Sequence, residues 1–322
     1  MAKRTTAAEF ISAWRNLGSP ELVAKHLGIS IRNVYSRRNN LEKLHGISLP
    51  SYSNDRTGRQ ATDENLPKRG IRRIAKIEKG TVVVFNDGHI WPNRRTLAMD
   101  KLVLLCRELK PVMVVCNGDI FDGAKISSHP PNGWEDRAAK RPEVFEEIEA
   151  VAEFMNEIRS VTRKARHVWN LGNHDIRPAK YLAIHAPLIE KVKGTALDDH
   201  VTGWDIGWSL MINEHTMIKH RWNGGVHALY NNVLKSGVNM ITGHCHQGEV
   251  RAFTDYRGRR YACDPGTLMD IGPDSPQVDY TEDSPVNWGS GFGVLTFDRG
   301  MLLRPELCEI LEGNAYFRGQ RV

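Results

Sequence analysis

Four short apolar runs in the sequence each end just before side chains that commonly bind metal ions. Residues 82–85 precede Asp87 and His89, and residues 111–116 precede Asp119. The two later runs precede pairs of the same kind, Asn173 with His174 and His244 with His246. Carboxylate and imidazole groups together suit Mn²⁺, Fe or Zn²⁺. The pattern therefore predicts a metal centre whose ligands are delivered by several strands.

The elements around these side chains predict that they meet at one edge of a sheet. From residue 71 onward, strand-like runs alternate with amphipathic segments, and helices are expected at 96–109 and 142–166. This alternation is typical of a largely parallel sheet with right-handed crossovers. Ligands of such sheets bind at the carboxyl ends of the strands. Each of the four apolar runs carries its polar side chains at that end.

The second half of the chain has the pattern of hairpins. Runs at 208–212 and 216–219 lead into His220, and further strand-like runs come later. They indicate a second sheet packed on the first. His220 is preferred over His215 and His227 as a candidate ligand because it ends a strand. The predicted fold class is α/β, in the form of an α+β sandwich of two mixed β-sheets flanked by helices, with a small N-terminal all-α domain.

The first 48 residues predict three short helices with well-placed capping residues. Ser19 and Ser30 precede the second and third helices, and Gly28 and Gly46 follow them. Two helices flanking a glycine turn resemble a helix-turn-helix. The third helix carries polar side chains suited to bases and phosphates on or near its exposed face, namely Arg32, Asn33, Ser36, Arg37, Asn39 and Asn40. A three-helix domain used for protein contact or assembly would have the same pattern.

The net charge of +6 is unevenly distributed along the chain. Residues 1–80 contain 16 Lys and Arg against 7 Asp and Glu, whereas the remainder contains 28 against 31. A basic front end suggests a polyanionic partner such as DNA, although a solvated basic face has the same composition. The polar, proline-containing segment 49–70 predicts a linker. The expected domains are a DNA-contacting helix-turn-helix at 1–48, this linker, and a larger domain at 71–322.

The bulk composition is that of an ordinary globular protein of 322 residues, with 40% hydrophobic and 25% charged residues. The N-terminus lacks the apolar core of a signal peptide, and no run is long enough to span a bilayer. The five cysteines form no CxxC pair, which favours reduced thiols. We therefore expect a cytoplasmic protein with no membrane partner. Whether it forms a homo-oligomer is left open.

The complete set of motifs resembles the calcineurin-like metallophosphoesterase superfamily. In order, the chain reads Asp87-Gly88-His89, Gly118-Asp119-Ile120-Phe121-Asp122, Gly172-Asn173-His174-Asp175, a lone His220, and Gly243-His244-Cys245-His246. These match D-x-H, GD-x-x-D, GNH-D/E, a single His and GH-x-H over about residues 71–303. One motif alone would be weak, whereas the ordered set is specific. Within the superfamily the chain is similar to SbcD-like and phage- or prophage-encoded DNA-repair exonucleases, which implies a bacterial cell.

The resemblance implies two divalent cations, with Mn²⁺ expected first and Fe, Zn, Ni or Mg as alternatives. The implied ligands are Asp87, His89, Asp119 and His246 for one ion, and Asp119, Asn173, His220 and His244 for the other. Asp119 would bridge ions roughly 3.5–4 Å apart, which share a hydroxide that attacks phosphorus. The resemblance further implies that His174 is the general acid or transition-state donor and that Asp175 orients its ring. Asp122 is left ambiguous.

Departures from the family pattern bear on the substrate. Protein phosphatases of the superfamily have Arg-Gly after the second Asp of GD-x-x-D and Glu after GNH. This chain has Gly123-Ala124 and Asp175 at those positions, which argues against a protein phosphatase. SbcD-like nucleases commonly have His where Asp122 stands, so the polarity of an exonuclease is not implied. The turn Asp264-Pro265-Gly266-Thr267 resembles the one that follows GH-x-H in such nucleases.

The favoured function is a two-metal-dependent phosphodiester hydrolase, specifically a DNA exo- or endonuclease whose N-terminal domain contacts DNA. One alternative is a phosphodiesterase of a small or cyclic nucleotide, with the N-terminal domain used for assembly. A second alternative is a DNA-binding regulator with an inactive phosphoesterase body. The intact set of ligand-type residues speaks against the last.

Overall fold

The computed structural model describes residues 5–17, 19–47, 49, 71–127, 141–190, 192–272, 275–278 and 287–322. The chain divides into two compact units, one formed by Met1–Asp63 with Ala183–Pro187 and the other by the remainder. From position 50 onward, the predicted linker lies outside the described residues. Every helix in the described ranges is too short or too polar to cross a lipid bilayer.

The smaller unit contains three helices, α1 (Ala7–Leu17), α2 (Pro20–Leu27) and α3 (Ile31–His45). The expected caps are confirmed, because Ser19 Oγ accepts from a backbone N–H of α2 and Ser30 Oγ accepts from one of α3. Gly28 ends α2 at a φ of 64°, a left-handed angle that glycine adopts readily. The core of this unit is formed by Phe10, Trp14, Val23, Ala24, Val34, Leu41 and Leu49.

The larger unit is built from strands and helices. Its strands are β1 (Arg72–Ala75), β2 (Gly80–Phe85), β3 (Met113–Cys116), β4 (Arg166–Asn170), β5 (Asp205–Gly207), β6 (Ser209–Ile212), β7 (Thr216–Ile218), β8 (Asn239–Ile241), β9 (Glu249–Asp255), β10 (Gly258–Asp264), β11 (Ser290–Asp298), β12 (Met301–Leu302), β13 (Glu306–Leu311), β14 (Asn314–Phe317) and β15 (Gln320–Arg321). Its helices are α4 (Leu97–Leu109), α5 (Val144–Val161), α6 (Arg177–His185) and α7 (Ala228–Ser236).

The strands form two mixed sheets. The first has the order β1-β6-β7-β8-β10-β9, and the second has the order β15-β14-β13-β11-β2-β3-β4-β5, with β12 paired to β11. Strands β2 to β5 are parallel neighbours, as are β7 and β8, whereas β11 runs antiparallel to β2. The parallel strands therefore direct their carboxyl ends the same way within each sheet.

Side chains of β2 alternate between two cores. Val82 and Val84 pack among residues of both sheets, such as Ile218 of β7. Val83 and Phe85 point the opposite way and join a cluster that includes residues of α4 and α5. Because successive side chains of a strand face opposite sides, a strand covered on both faces is apolar throughout. Two packed sheets with helices outside confirm the predicted fold class.

Some elements differ from the sequence expectation. The helix expected at 142–166 ends at Val161, because Thr162 Oγ donates to the Ile158 carbonyl and residues from Arg166 form β4. Helix α6 and strands β13 to β15 had no clear pattern in the sequence. In α6 only Pro178 is buried, and in β13 only Cys308 is, so each of these short elements contributes little to the core.

Candidate metal centre

The carboxyl ends of five strands deliver the candidate ligands to one place. Residues after β2, β3 and β4 come from the second sheet, and residues after β7 and β8 come from the first. Three groups have side-chain ligand atoms that all lie within 4.8 Å of one another, namely Asp87/His89/His246, His89/Asp119/His174 and Asp119/His220/His244. The side chains predicted from sequence spacing therefore do converge. His215 and His227 belong to none of these described groups.

Asp87 organises the first group. Its Oδ1 lies 2.9 Å from His246 Nε2 and 3.8 Å from His89 Nε2. Its Oδ2 accepts a hydrogen bond of 2.8 Å from the backbone N–H of His244, so the same carboxylate also fixes the loop after β8. Asp87 itself is fully buried. One carboxylate oxygen and two imidazoles thus face a common point.

Asp119 organises the second group, and it also belongs to the group with His89 and His174. Its Oδ2 lies 3.0 Å from His220 Nε2. His220 Nδ1 donates to the Asn117 carbonyl at 2.8 Å, which leaves the lone pair on Nε2 facing Asp119. His89 also belongs to two groups, but a carboxylate has two oxygens with which to bridge, so Asp119 is where a bridging ligand is expected.

Unpartnered atoms test whether metal ions fit this centre. Among the described residues, the buried Nε2 atoms of His89 and His220 and the buried Oδ1 of Asn173 have no hydrogen-bond partner. Buried polar atoms are rarely left without a partner. The two imidazole nitrogens belong to the groups around Asp87 and Asp119, and with these carboxylates they provide the donor set that divalent transition metals prefer. The residues present therefore fit two divalent cations.

The carboxylates also act on the imidazoles electrostatically. Burial opposes a charged ring, but Asp122 and Asp87 raise the pKa of His89 to about 10. In the same way, Asp119 and Asp87 raise the pKa of His220 to about 9 against the effect of burial. A negative field that retains protons on these rings also attracts divalent cations, whose binding displaces the protons.

Five candidate ligands have left-handed backbone conformations that non-glycine residues seldom adopt. Their φ angles are 51° for Asp87, 40° for His89, 52° for Asp119, 71° for His244 and 55° for His246. Such residues persist where surrounding contacts hold them. Here the backbone N–H of Asp87 donates to the Gly118 carbonyl at 2.9 Å, and that of His89 donates to the Asp119 carbonyl at 3.0 Å. The loops that follow β2 and β3, here called the β2 and β3 loops, therefore stabilise each other's conformation.

His174 lies beside this centre, but Asp175 does not hold its ring. The Asp175 carboxylate accepts hydrogen bonds of 2.8–3.2 Å from Trp169 Nε1 and from the backbone N–H groups of Asp119, Ile120, Phe121 and Gly172. The expectation that Asp175 orients His174 is therefore wrong. Its buried carboxylate instead ties the β3 loop to the β4 loop, because the backbone donors of both loops converge on it.

Asp122 is the residue that contacts the His174 ring. His174 Nδ1 lies 2.9 Å from the Asp122 carbonyl oxygen and 3.3 Å from its carboxylate. The same carboxylate lies 3.4 Å from His89 Nδ1 and accepts a 2.8 Å hydrogen bond from Trp91 Nε1. The second Asp of GD-x-x-D was the signal for this residue, but spacing alone left its role open. Arg177, which also reaches His174, carried no sequence signal.

The predicted DNA-contacting residues separate into two sets on α3. Arg32, Asn33, Ser36 and Asn40 are exposed. Arg37 is half-buried, donates to the Thr5 carbonyl and lies over the Phe10 ring at 5.4 Å from its centroid. Arg37, expected on or near the exposed face, thus packs its guanidinium within its own unit, and its contact with DNA stays a prediction.

Comparison with known families agrees with this geometry. Residues 80–281 match the Metallophos family, described as calcineurin-like phosphoesterase. The chain belongs to the calcineurin-like phosphoesterase family. Membership confirms the resemblance drawn from the motifs and makes the protein a phosphoesterase of a type that binds divalent metal ions.

Similar proteins are encoded by bacteriophages. The Gene 54 protein of Mycobacterium phage D29 is 27% identical over 251 residues, which are 72% of this chain and 94% of that protein. The Gene 54 protein of Mycobacterium phage L5 is 30% identical over 168 residues, which are 44% of this chain and 61% of that protein. A crystal structure of Vps29 complexed with Zn²⁺ from Entamoeba histolytica has 17% identity and a TM-score of 0.39, covering 75% of this chain and 98% of that one.

Proposed function

We propose that the protein is a two-metal-dependent phosphodiester hydrolase that cleaves DNA. The residues that would hold the cations are Asp87, His89, Asp119 and His246 for one, and Asp119, Asn173, His220 and His244 for the other. The observation that carries this proposal is the convergence of carboxylate and imidazole atoms within 4.8 Å at the ends of five strands. When bound, the cations would supply Lewis acidity toward phosphate oxygens and an attacking water.

His174 is proposed to act on the leaving oxygen. The Asp122 carbonyl accepts from Nδ1, so Nε2, which lies 3.0 Å from Arg177 Nη2, is the ring nitrogen that would have to gain a proton before it acts on the substrate. Nε2 lies 3.9 Å from Asp119 Oδ2, which brings it to the border of the centre. A donor at this position would transfer a proton to the leaving oxygen or stabilise its charge as the P–O bond breaks.

A row of cationic side chains at the edge of the first sheet that carries His220 supports a polyanionic substrate. Arg72 pairs with Ser209 across β1 and β6, and Ser209 lies one residue beyond the Leu210–Ile218 pair of β6 and β7. Lys219 therefore lies in the same row, directly before His220. Together with burial, the positive charges of Arg72 and Arg221 lower the pKa of Lys219, as expected for clustered cations. Such a row suits a phosphate backbone better than a small ester.

The N-terminal unit is proposed to bind DNA through the exposed face of α3. That helix has 15 residues, which is long enough to lie in a major groove. Arg32 and Asn33 stand in its first turn, where recognition helices commonly contact base edges. The phage relatives are consistent with action on DNA in the cytoplasm of a bacterial cell.

The test is hydrolysis of several substrates by one preparation. The Mn²⁺-loaded protein is incubated with end-labelled single- and double-stranded DNA and, separately, with bis-p-nitrophenyl phosphate. We expect cleavage of DNA and of the small ester, loss of both with EDTA, and recovery on adding Mn²⁺. Cleavage of the small ester alone would favour the small or cyclic nucleotide. Inertness toward both with Mn, Fe, Zn, Ni and Mg would favour a DNA-binding regulator.

A further inference from the structure

We propose that Arg177 is a catalytic residue that binds the scissile phosphate of the substrate. Arg177 is the first residue of α6, three positions after His174. The assignment rests on the proposed phosphodiesterase function. It adds a protein side chain, the Arg177 guanidinium, that would bind the phosphate directly.

The guanidinium of Arg177 is held at two points beside His174. Its Nη1 donates a 2.6 Å hydrogen bond to the Asp122 carbonyl, and its Nη2 lies 3.0 Å from His174 Nε2. The Asp122 carbonyl can only accept, so the hydrogen of the His174 ring is on Nδ1 and Nε2 accepts from Arg177. The guanidinium approaches the candidate metal centre through His174, whose Nε2 lies 3.9 Å from Asp119 Oδ2.

The charge of Arg177 is only loosely paired within the protein. Its side chain is 18% exposed, and its one ion pair among the described residues is to Asp122 Oδ1 at 3.7 Å. A guanidinium has five N–H donors, and the described hydrogen bonds use one from each Nη. Donors therefore remain for an anion, and the planar fork of guanidinium matches two oxygens of a phosphate.

The β3 loop leaves space for this side chain. Gly123 has a φ of +65°, and a Cβ there would lie 3.2 Å from Arg177 Cδ and 2.5 Å from Phe121 Cε1. The backbone N–H of Gly123 donates to the buried Glu147 carboxylate at 2.7 Å, which fixes the glycine in place. A residue with a side chain at position 123 would push the guanidinium away from the centre.

The test compares Arg177→Gln and Arg177→Lys with the control Arg141→Gln. Arg141 is also half-buried and also donates to a carbonyl of the β3 loop, that of Ala124, at 3.1 Å. The measurements are kcat and KM for bis-p-nitrophenyl phosphate, calorimetric affinity of the Mn²⁺-loaded protein for inorganic phosphate, metal content and melting temperature. Phosphate affinity does not depend on turnover.

For Arg177→Gln we expect a loss of about 10²-fold in kcat/KM, as for removal of one donor to a developing charge. Phosphate affinity should fall about tenfold or more, with metal content unchanged. Arg177→Lys should recover part of both, because lysine keeps the charge without the fork. Arg141→Gln should resemble the wild type. If Arg177→Gln fails to fold, the phosphate affinity of Arg177→Lys tests the assignment instead.

Two outcomes would overturn the assignment. Unchanged phosphate affinity with reduced turnover would mean that Arg177 acts only through His174. Equal behaviour of the Arg177 and Arg141 variants would remove any role in phosphate binding. If the wild type binds phosphate but hydrolyses no ester, the proposed activity fails, while the comparison of phosphate affinities still decides the role of Arg177.

Discussion

Asp119, like His89, belongs to two candidate ligand groups, and its carboxylate has two oxygens, so its charge should matter to both cations. We expect Asp119→Asn to reduce metal content from two ions per chain to less than one and to abolish hydrolysis, because an amide cannot bridge two cations as a carboxylate does. Elemental analysis of dialysed protein measures this. Asp270→Asn, an exposed aspartate outside the three candidate ligand groups, is the control. Full metal content in Asp119→Asn would contradict the bridging role.

His174 borders the centre without belonging to either proposed ligand set. His174→Ala should keep both metal ions and lose about 10²- to 10⁴-fold in kcat, the usual range for a lost general acid. Metal analysis and bis-p-nitrophenyl phosphate kinetics, run on the same sample, separate the two effects. The exposed His215 provides His215→Ala as a control. Metal loss in the His174 variant would instead make this ring a ligand.

Asp175 has the contacts of a structural residue. Asp175→Ala should leave backbone N–H groups of two loops unsatisfied and should therefore destabilise the larger unit by about 3 kcal/mol or more. Urea denaturation of the wild type and the variant measures the difference. Asp270→Ala removes a single exposed hydrogen bond to Gly272 and should cost less than about 1 kcal/mol. Similar stabilities of the two variants would contradict this role.

At the scale of elements, α3 presents its exposed polar residues on one face, and the half-buried Arg37 lies at the border of that face. The double substitution Arg32→Ala and Asn33→Ala should weaken DNA binding and reduce the salt slope by about one unit if Arg32 contacts a phosphate. Titrations of labelled DNA at several salt concentrations measure both. Arg15→Ala, an exposed arginine on α1, is the matched control. Equal losses in both variants would leave α3 without a special role.

The elements that the sequence predicts best are those whose ends are marked by capping residues. Thr96 caps α4 at the expected position because its Oγ accepts from Met99 N–H. The short strands β13 to β15 were not predicted, because they extend an existing sheet and need little apolar surface of their own. The end of α5 depended on Thr162, whose hydrogen bond to Ile158 is visible only in three dimensions.

The candidate site divides in the same way. Asp87, His89, Asp119, His244 and His246 follow from strand ends and spacing, which the sequence displays directly. The contacts of His174 cannot be read from the sequence in the same way. Asp122 and Asp175 are both aspartates of the motifs around His174, and only the paths of the loops after β3 and β4 decide which of them contacts the ring. Arg177 reaches its position at the start of a short helix in which only Pro178 is buried.

At the scale of the whole larger unit, the candidate ligands come from both sheets of the sandwich. Cations bound there would connect the sheets, so removing them should lower the melting temperature of this unit. Ligand at 100 times its Kd stabilises a folded state by about 2.7 kcal/mol. Calorimetry with EDTA and with Mn²⁺ tests this, and Asp119→Asn should show a much smaller difference. Identical melting temperatures of wild type in both conditions would contradict the bimetallic centre.

The left-handed φ angles at five candidate ligands bear on which substitutions the protein could accept during evolution. Each left-handed conformation costs about 1 kcal/mol of folding free energy that a glycine would not incur. Glycine at those positions would relieve this strain, but it would also remove side chains that hold the loops, such as the Asp87 carboxylate that accepts from the His244 backbone N–H. The strained conformations are therefore retained together with the side chains that proposed cation binding requires.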